Sequence, residues 1–277
     1  PLYGGQVGIQ CNTPGGNKIF LESDLVLGIG CRFSDRHTGE LKSYIGNRKF
    51  IHIDIEPTQI GRIVPTELGI VSDAKLALES LIDAAKDITS KREPSDWSDR
   101  ILDLKREFVR RMDFDNVPIK PQRVFKEIDE FFGEDTIFTA GCGLVQIWSG
   151  QFQEISKPRH YLPSGGAGTL GYEVPAAIGA KVAKPDKTVV AIVGDGGLLF
   201  MGEELAMACQ YNIPIIVVVV NNGYLSLIRQ NQKYGYGYEY GVNLWYDGYM
   251  ADFVKYAEAF GCYAERVEKP DDIKPAF

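Results

Sequence analysis

Two stretches decide the fold: Thr188-Val189-Val190-Ala191-Ile192-Val193 running into Gly194-Asp195-Gly196-Gly197, and Ile215-Ile216-Val217-Val218-Val219-Val220 running into Asn221-Asn222-Gly223-Tyr224. Short, uninterrupted apolar runs rich in β-branched residues are what a parallel strand buried on both faces requires. Between them, Glu203 to Tyr211 has helical character. A strand-helix-strand unit of this length returns the chain to the same edge of a parallel sheet, the edge at which α/β proteins bind ligands. Asp195 and Asn222, twenty-seven residues apart, are therefore expected to meet. A carboxylate, an amide oxygen and a backbone carbonyl are hard donors suited to Mg²⁺ or Ca²⁺, and Mg²⁺ bound in this way usually completes its shell with water and phosphate oxygens. A lone Gly-Asp-Gly is more often an ordinary turn. The spacing to the double Asn and the strand before each motif carry the weight.

Outward from this unit, alternating elements continue. Pro121 to Phe132 reads as a helix, Thr136 to Thr139 as a strand, Leu144 to Gln153 as a helix and Val174 to Val182 as another. Nearer the start, Leu25 to Ile29 and Phe50 to Ile55 read as short strands, followed by a helical pattern from Ala74 to Ala85. Lys86 to Trp97 is polar and contains Pro94, and Ser98 to Met112 is charged and helical in period. The expected architecture is α/β, with two Rossmann-like, doubly wound parallel-sheet domains: 1–88, then a linker over 89–117, then 118–277. The tyrosine-rich stretch Tyr234 to Tyr240 reads as a surface loop, with a mobile flap as the alternative.

Composition narrows the function classes. The chain has 277 residues, 44% of them hydrophobic, and a net charge of -7, with no dense basic stripe, which argues against a nucleic-acid partner. No run approaches the roughly 18 to 20 apolar residues of a membrane helix, and no signal-peptide pattern is visible, so no membrane association and a cytoplasmic location are expected. The five cysteines, Cys11, Cys31, Cys142, Cys209 and Cys262, are scattered without Cys-x-x-Cys pairs and are read as reduced thiols. His37, His52 and His160 are unclustered and read as structural. The chain begins Pro1-Leu2-Tyr3 without Met and ends at Pro275-Ala276-Phe277, and is read as a piece of something longer.

A second glycine-rich stretch, Gly165-Gly166-Ala167-Gly168-Thr169-Leu170-Gly171, precedes the helical Val174-Pro175-Ala176-Ala177. On its own terms it is a phosphate-cradling loop or a tight turn with Leu170 in the core. Gly28-Ile29-Gly30 after a strand is only a weak nucleotide signal.

Taken together, Gly194-Asp195-Gly196, Asn221-Asn222 and their spacing resemble the signature of thiamine diphosphate-dependent enzymes. Further stretches are similar to one branch of that family, the glyoxylate carboligases, with acetolactate synthases as relatives. These are Pro1-Leu2-Tyr3-Gly4-Gly5-Gln6-Val7-Gly8, Arg36-His37-Thr38-Gly39, the run from His52 to Arg62, Phe114-Asp115-Asn116-Val117-Pro118 and Leu227-Ile228-Arg229-Gln230. The resemblance implies a middle domain and a diphosphate-binding domain, without the pyrimidine-binding domain and the group it places opposite the cofactor's N1'.

It implies Mg²⁺ held by Asp195, Asn222 and the carbonyl of Tyr224, and the diphosphate met by Gly143, Leu144, Gly194, Gly196 and Gly197. Leu170 would hold the cofactor bent while the Gly168 carbonyl accepts from its amino group, and Leu225 and Ile228 would line the pocket. It further implies FAD along Gly5, Gln6, Gly30, Arg32, Asp54, Ile55 and Asp73, and a substrate carboxylate met by Arg36, with Lys233 a second candidate. Acetolactate synthases carry Gln-His where this chain has Leu144-Val145. The implied activity of the intact protein is condensation of two glyoxylate molecules to tartronate semialdehyde with loss of CO₂. The substrate is a small 2-oxo acid and the assembly a homodimer or homotetramer. Acetolactate synthase or another 2-oxo acid lyase, and a non-catalytic FAD-binding protein, are the rival readings. The 277 residues alone are expected to be inactive.

Overall fold

Three short strands build the sheet in the first part of the chain: β1 (Leu25–Ile29), β2 (Lys49–Asp54) and β3 (Leu68–Val71). They pair in parallel in the order β1-β2-β3, with Ile29 opposite Ile53 and Asp54 opposite Val71. The computed structural model describes residues 3–88 and 95–277, divided into two units, Pro1–Val109 and Arg110–Phe277. Pro1 and Leu2 of the first quoted motif, and residues 89–94 of the expected linker, lie outside the described residues.

In the first unit, Thr13 accepts from the Gly16 N–H and caps α1 (Pro14–Glu22). Buried Gly16 brings that helix start close to the backbone of Gln6, and buried Gly15 brings it close to the backbone of Leu104. The short helices α2 (Asp35–Thr38) and α3 (Leu41–Ile45) follow β1, and α4 (Ala74–Ile88) follows β3. Phe33, Tyr44, Phe50 and Val64 form the core on one side of the sheet. Helix α5 (Asp96–Glu107) lies within the stretch read as a linker, yet it packs on α1. Leu104 is fully buried there, and Arg100 grips Glu22 through two nitrogens at 2.9 and 2.8 Å.

The second unit is a four-stranded parallel sheet, β5-β4-β6-β7, built from β4 (Ile137–Ala140), β5 (Tyr161–Pro163), β6 (Val189–Gly194) and β7 (Ile216–Val220). Alternation along the strands feeds two cores. Phe138, Val190 and Ile192 point to one side, against Phe125 and Ile128 of α6 (Pro121–Phe132) and Val145 of α7 (Leu144–Phe152). Ile137, Val189, Ala191 and Val193 point to the other, where α8 (Glu173–Ala183) supplies Val174, Ala177 and Ile178, and α10 (Leu205–Gln210) supplies Leu205 and Ala208. Each such large apolar side chain contributes roughly 1.5–3 kcal/mol by leaving water. Between β6 and α10 lies α9 (Asp195–Met201).

After β7 the chain forms α11 (Ser226–Asn231), a π-helical turn over Gln232–Tyr236, a hairpin of β8 (Trp245–Tyr246) and β9 (Tyr249–Met250), then α12 (Phe253–Ala259) and α13 (Ile273–Ala276). The tyrosine-rich stretch is thus helical as far as Tyr236 and irregular only beyond Gly237. Among the described residues, no helix is long and apolar enough to cross a membrane.

Candidate active site

The chain enters the second sheet at β4, adds β5 on one side, then returns to add β6 on the other. The order therefore reverses between β4 and β6, and their C-terminal ends flank the crevice in which open α/β sheets hold ligands. Gly141-Cys142-Gly143 leaves β4 here and Gly194-Asp195-Gly196 leaves β6. A cavity of about 240 Å³ lies at this place, lined by Gly143, Leu144, Gly168, Leu170, Gly194, Asp195, Gly196, Gly197, Asn222, Tyr224, Leu225 and Ile228, with Cys142, Val145, Trp148, Val220, Ser226 and Leu227.

Asp195 is buried, and its carboxylate organises the two strand ends. Oδ1 accepts from the Gly196 N–H at 2.8 Å, and Oδ2 accepts from the N–H groups of Asn222 at 2.9 Å and Gly223 at 2.5 Å. A carboxylate offers about four acceptor positions, so capacity for a cation remains. The Ser226 hydroxyl lies 2.7 Å from Asn222 Oδ1 and 3.1 Å from the Tyr224 carbonyl oxygen, so these two oxygens converge on one point. The donor set is one carboxylate, one amide and one carbonyl, all hard oxygens. Among the described residues no cluster of three His, Cys, Asp or Glu could hold a metal, so a divalent ion at this spot needs further ligands from what it binds.

The same cavity is lined by bare backbone. Helix α7 starts at Leu144 with Gly143 as its N-cap and no side-chain cap, leaving first-turn N–H groups available beside the cavity. Gly143 (φ +101°) and Gly168 (φ +65°) hold left-handed backbone, and a Cβ on either would meet no protein atom. Backbone is thus laid open on two sides of the cavity. The glycine-rich loop is fixed by the Thr169 N–H donating to Ser164 Oγ at 2.9 Å, and Gln146 Nε2 donates to the Ser164 carbonyl at 3.1 Å. Half-buried Leu170 and Leu225, with the more exposed Ile228, supply apolar surface.

Every residue expected in the diphosphate and metal sets lines this one cavity. Lys233 does not line it; its ammonium faces Glu239 at 3.9 Å, in company with Arg229, whose Nε donates to Glu239 at 2.6 Å. The Arg229 guanidinium also lies over the Tyr224 ring at 4.0 Å.

The residues expected along FAD all lie in the first unit. Gly30 follows β1 and donates to the Ile53 carbonyl at 2.8 Å, Asp54 ends β2, and Asp73 opens α4 by accepting from the N–H groups of Lys75 and Leu76 at 2.9 and 3.2 Å. These three share the C-terminal edge of the sheet, with Ile55 and Arg32 exposed beside it in sequence. Gly5 and Gln6 are held instead at the start of α1, where the Gln6 N–H donates to Thr13 Oγ1 at 3.1 Å. Arg36 is exposed on α2, and its carbonyl accepts from Ile9 at 3.0 Å.

One residue behind the cavity was missed in the sequence. Glu173, in the first turn of α8, is fully buried, and neither carboxyl oxygen has a hydrogen-bond partner. Its carboxyl fills the space that side chains at Gly141 and Gly197 would take: a Cβ on Gly141 would lie 1.9 Å from the carboxyl carbon and one on Gly197 3.0 Å from Oε1. Burial pushes its pKa up to about 7. The one available signal was a charged residue at the start of a mostly apolar helix.

Residues 141–277 match the thiamine pyrophosphate enzyme, C-terminal TPP binding domain, and residues 1–81 match the thiamine pyrophosphate enzyme, central domain. The chain belongs to the thiamine pyrophosphate enzymes. Among relatives in that family, glyoxylate carboligase of Escherichia coli O157:H7 is 47% identical over all of this chain and 48% of its own length. A probable acetolactate synthase large subunit of Methanococcus aeolicus is 40% identical over all of this chain and 48% of its own length. An acetolactate synthase large subunit of Corynebacterium glutamicum is 42% identical over 92% of this chain and 41% of its own length. The chain spans about half the length of the curated relatives it matches.

Proposed function

We propose that the intact protein is a thiamine diphosphate-dependent carboligase that condenses two glyoxylate molecules to tartronate semialdehyde with loss of CO₂. The observation that carries this reading is one cavity lined by Asp195, by Asn222 and Tyr224, whose Oδ1 and carbonyl oxygen meet at the Ser226 hydroxyl, and by open glycine backbone at an uncapped helix start. Asp195, Asn222 and Tyr224 would hold Mg²⁺ and, through it, the diphosphate. Gly143 and Leu144 would meet phosphate oxygens with backbone N–H groups, and Gly194, Gly196 and Gly197 let the backbone approach closely. The Gly168 carbonyl would accept from the aminopyrimidine, and Leu170 would fix its bend.

When bound, the cofactor supplies the carbon nucleophile and the electron sink for decarboxylation. The chain's own part is geometry and exclusion of water, through Leu170, Leu225 and Ile228. A small 2-oxo acid fits a site whose catalytic side chains are mostly apolar, and its carboxylate needs a cation, for which Arg36 is our candidate. Lys233 is less suited, because Glu239 already faces it. In the first unit, FAD along Gly5, Gln6, Gly30, Arg32, Asp54, Ile55 and Asp73 remains part of the proposal, supported by the edge position of Gly30, Asp54 and Asp73. The assembly proposed is a homodimer or homotetramer, and the location cytoplasmic.

Preference for glyoxylate rests on the 47% identity to a glyoxylate carboligase and on Leu144-Val145 lining the cavity. Relatives at 40 and 42% identity favour acetolactate synthesis as the second reading. Thiamine diphosphate titrated into the protein with and without Mg²⁺ tests the cofactor assignment: binding that ignores Mg²⁺ would contradict it.

A further inference from the structure

Cys209 Sγ and Cys262 Sγ lie 3.4 Å apart, although 53 residues separate them. Cys209 is near the end of α10, and Cys262 follows α12 after the left-handed Gly261. Backbone hydrogen bonds seat both: Asn212 N–H to the Cys209 carbonyl at 3.2 Å, and Cys262 N–H to the Ala257 carbonyl at 3.2 Å. Cys262 packs on the cluster of Leu205 and Ala208, so the two side chains meet in a packed place rather than by the chance approach of loose ends. Both are half-buried thiols, within reach of small reagents. A disulfide needs the sulfurs at about 2.05 Å, an approach of about 1.4 Å that side-chain rotation supplies when the Cβ atoms already face each other.

We propose that Cys209 and Cys262 form a redox-active pair, a modification site that a small-molecule disulfide oxidises to an intramolecular crosslink. The thiolate of one cysteine attacks a sulfur of the reagent, that S–S bond breaks, and one reagent thiolate leaves. The thiolate of the other cysteine then attacks the protein sulfur of the mixed disulfide and expels the second reagent thiol. Two protons and two electrons pass from the protein to the reagent, giving two reagent thiols. Burial and the neighbouring Cys209 raise the pKa of the free Cys262 thiol. Both steps use a thiolate, so the reaction speeds as pH rises. Its product is a covalent ring that contains Asn222 and Tyr224, two of the three residues of the candidate metal set. This inference stands on the thiol geometry and does not rest on the proposed activity.

The test is incubation of the purified protein with oxidised glutathione at pH 7 and pH 9, followed by tryptic peptide mapping without reduction. Arg229 and Lys255 lie between the two cysteines, so a crosslink joins two separate peptides. The expected result is a joined Cys209–Cys262 peptide lighter by two hydrogens than its parts, formed faster at pH 9. The thermal midpoint should rise by roughly 5 °C, be restored by dithiothreitol, and stay unshifted in Cys209→Ser and Cys262→Ser. Glutathione adducts that persist on either cysteine without the joined peptide, or pairing of either with another cysteine instead, would overturn it. Because the wild-type protein alone yields these outcomes, variants that fail to fold leave the proposal testable.

Discussion

Asp195 Oδ2 accepts a hydrogen bond from the backbone N–H of Asn222 at 2.9 Å, closing a span of twenty-seven residues at the carboxyl edge of the sheet. The same carboxylate is thus a structural clasp and the proposed anchor of Mg²⁺. Asp195→Asn keeps the shape and removes the charge. Its thiamine diphosphate affinity at fixed Mg²⁺ should fall by about 100-fold or more, measured by isothermal titration calorimetry, with far-UV circular dichroism checking the fold. Unchanged affinity would sink the metal assignment.

Ser226 places its hydroxyl between the two other proposed ligands. A cation would displace that hydroxyl rather than depend on it. Ser226→Ala should therefore leave Mg²⁺-dependent cofactor binding within about threefold of the parent in the same titration, since the hydrogen bonds lost are worth about 1 kcal/mol or less when the acceptors regain a partner.

Glu173 makes stability depend on pH in a direction unusual for a carboxylate. Its pKa is raised from 4.5 to about 7 by burial, so the folded protein keeps a proton that the unfolded chain releases. Stability on this account is fully present below about pH 4.5 and is lost as pH rises to about 7, a change of roughly 3 kcal/mol. Glu173→Gln should flatten that part of a urea-midpoint profile between pH 5 and 8. A wild-type profile that rises across the same window, unaltered by the substitution, would contradict the account.

Leu170 tests positioning separately from binding. Leu170→Ala removes apolar surface from the cavity wall but no charged or backbone group. In the intact protein kcat should fall by roughly 10-fold or more, because misplacement of reacting groups is costly, while cofactor affinity changes less. A fall in affinity alone would make Leu170 a packing residue.

Glu239 holds the segment beyond Gly237 through Arg229, and Gln232 exchanges two hydrogen bonds with Tyr240 at 3.1 and 2.9 Å. Glu239→Ala should raise amide hydrogen exchange over residues 237–243 without moving the unfolding midpoint, since exposed ion pairs contribute little to global stability. Exchange that stays at parent levels would mean the segment is held by other contacts.

The strand ends that build the cavity were legible because buried parallel strands leave continuous apolar runs, and Thr188 to Val193 and Ile215 to Val220 match β6 and β7 to within a residue. β3 and β5 were not legible, since Leu68–Val71 contains Gly69 and Tyr161–Pro163 is three residues ending in proline, both short edge strands with little pattern. Helix α1 was hidden by Gly15 and Gly16, which serve close backbone packing rather than helix propensity. The π-helical turn after α11 is not legible, because its alternating Gly and Tyr carry no helical period. Within the site, the meeting of Asp195 and Asn222 was legible through the spacing of the two strand ends, whereas Gly143, Gly168 and Leu170 were reached only through the family resemblance. Glu173 and the Cys209–Cys262 pair were not legible, because their meaning lies in contacts made across elements far apart in sequence.

Carboligation of glyoxylate is tested most directly by CO₂ release from the intact protein, with thiamine diphosphate and Mg²⁺ present, from glyoxylate and from pyruvate in separate reactions. The account predicts CO₂ and tartronate semialdehyde from glyoxylate, with pyruvate turned over far more slowly. Preferential turnover of pyruvate would place the protein with the acetolactate synthases, and no release from either substrate would contradict the carboligase reading altogether.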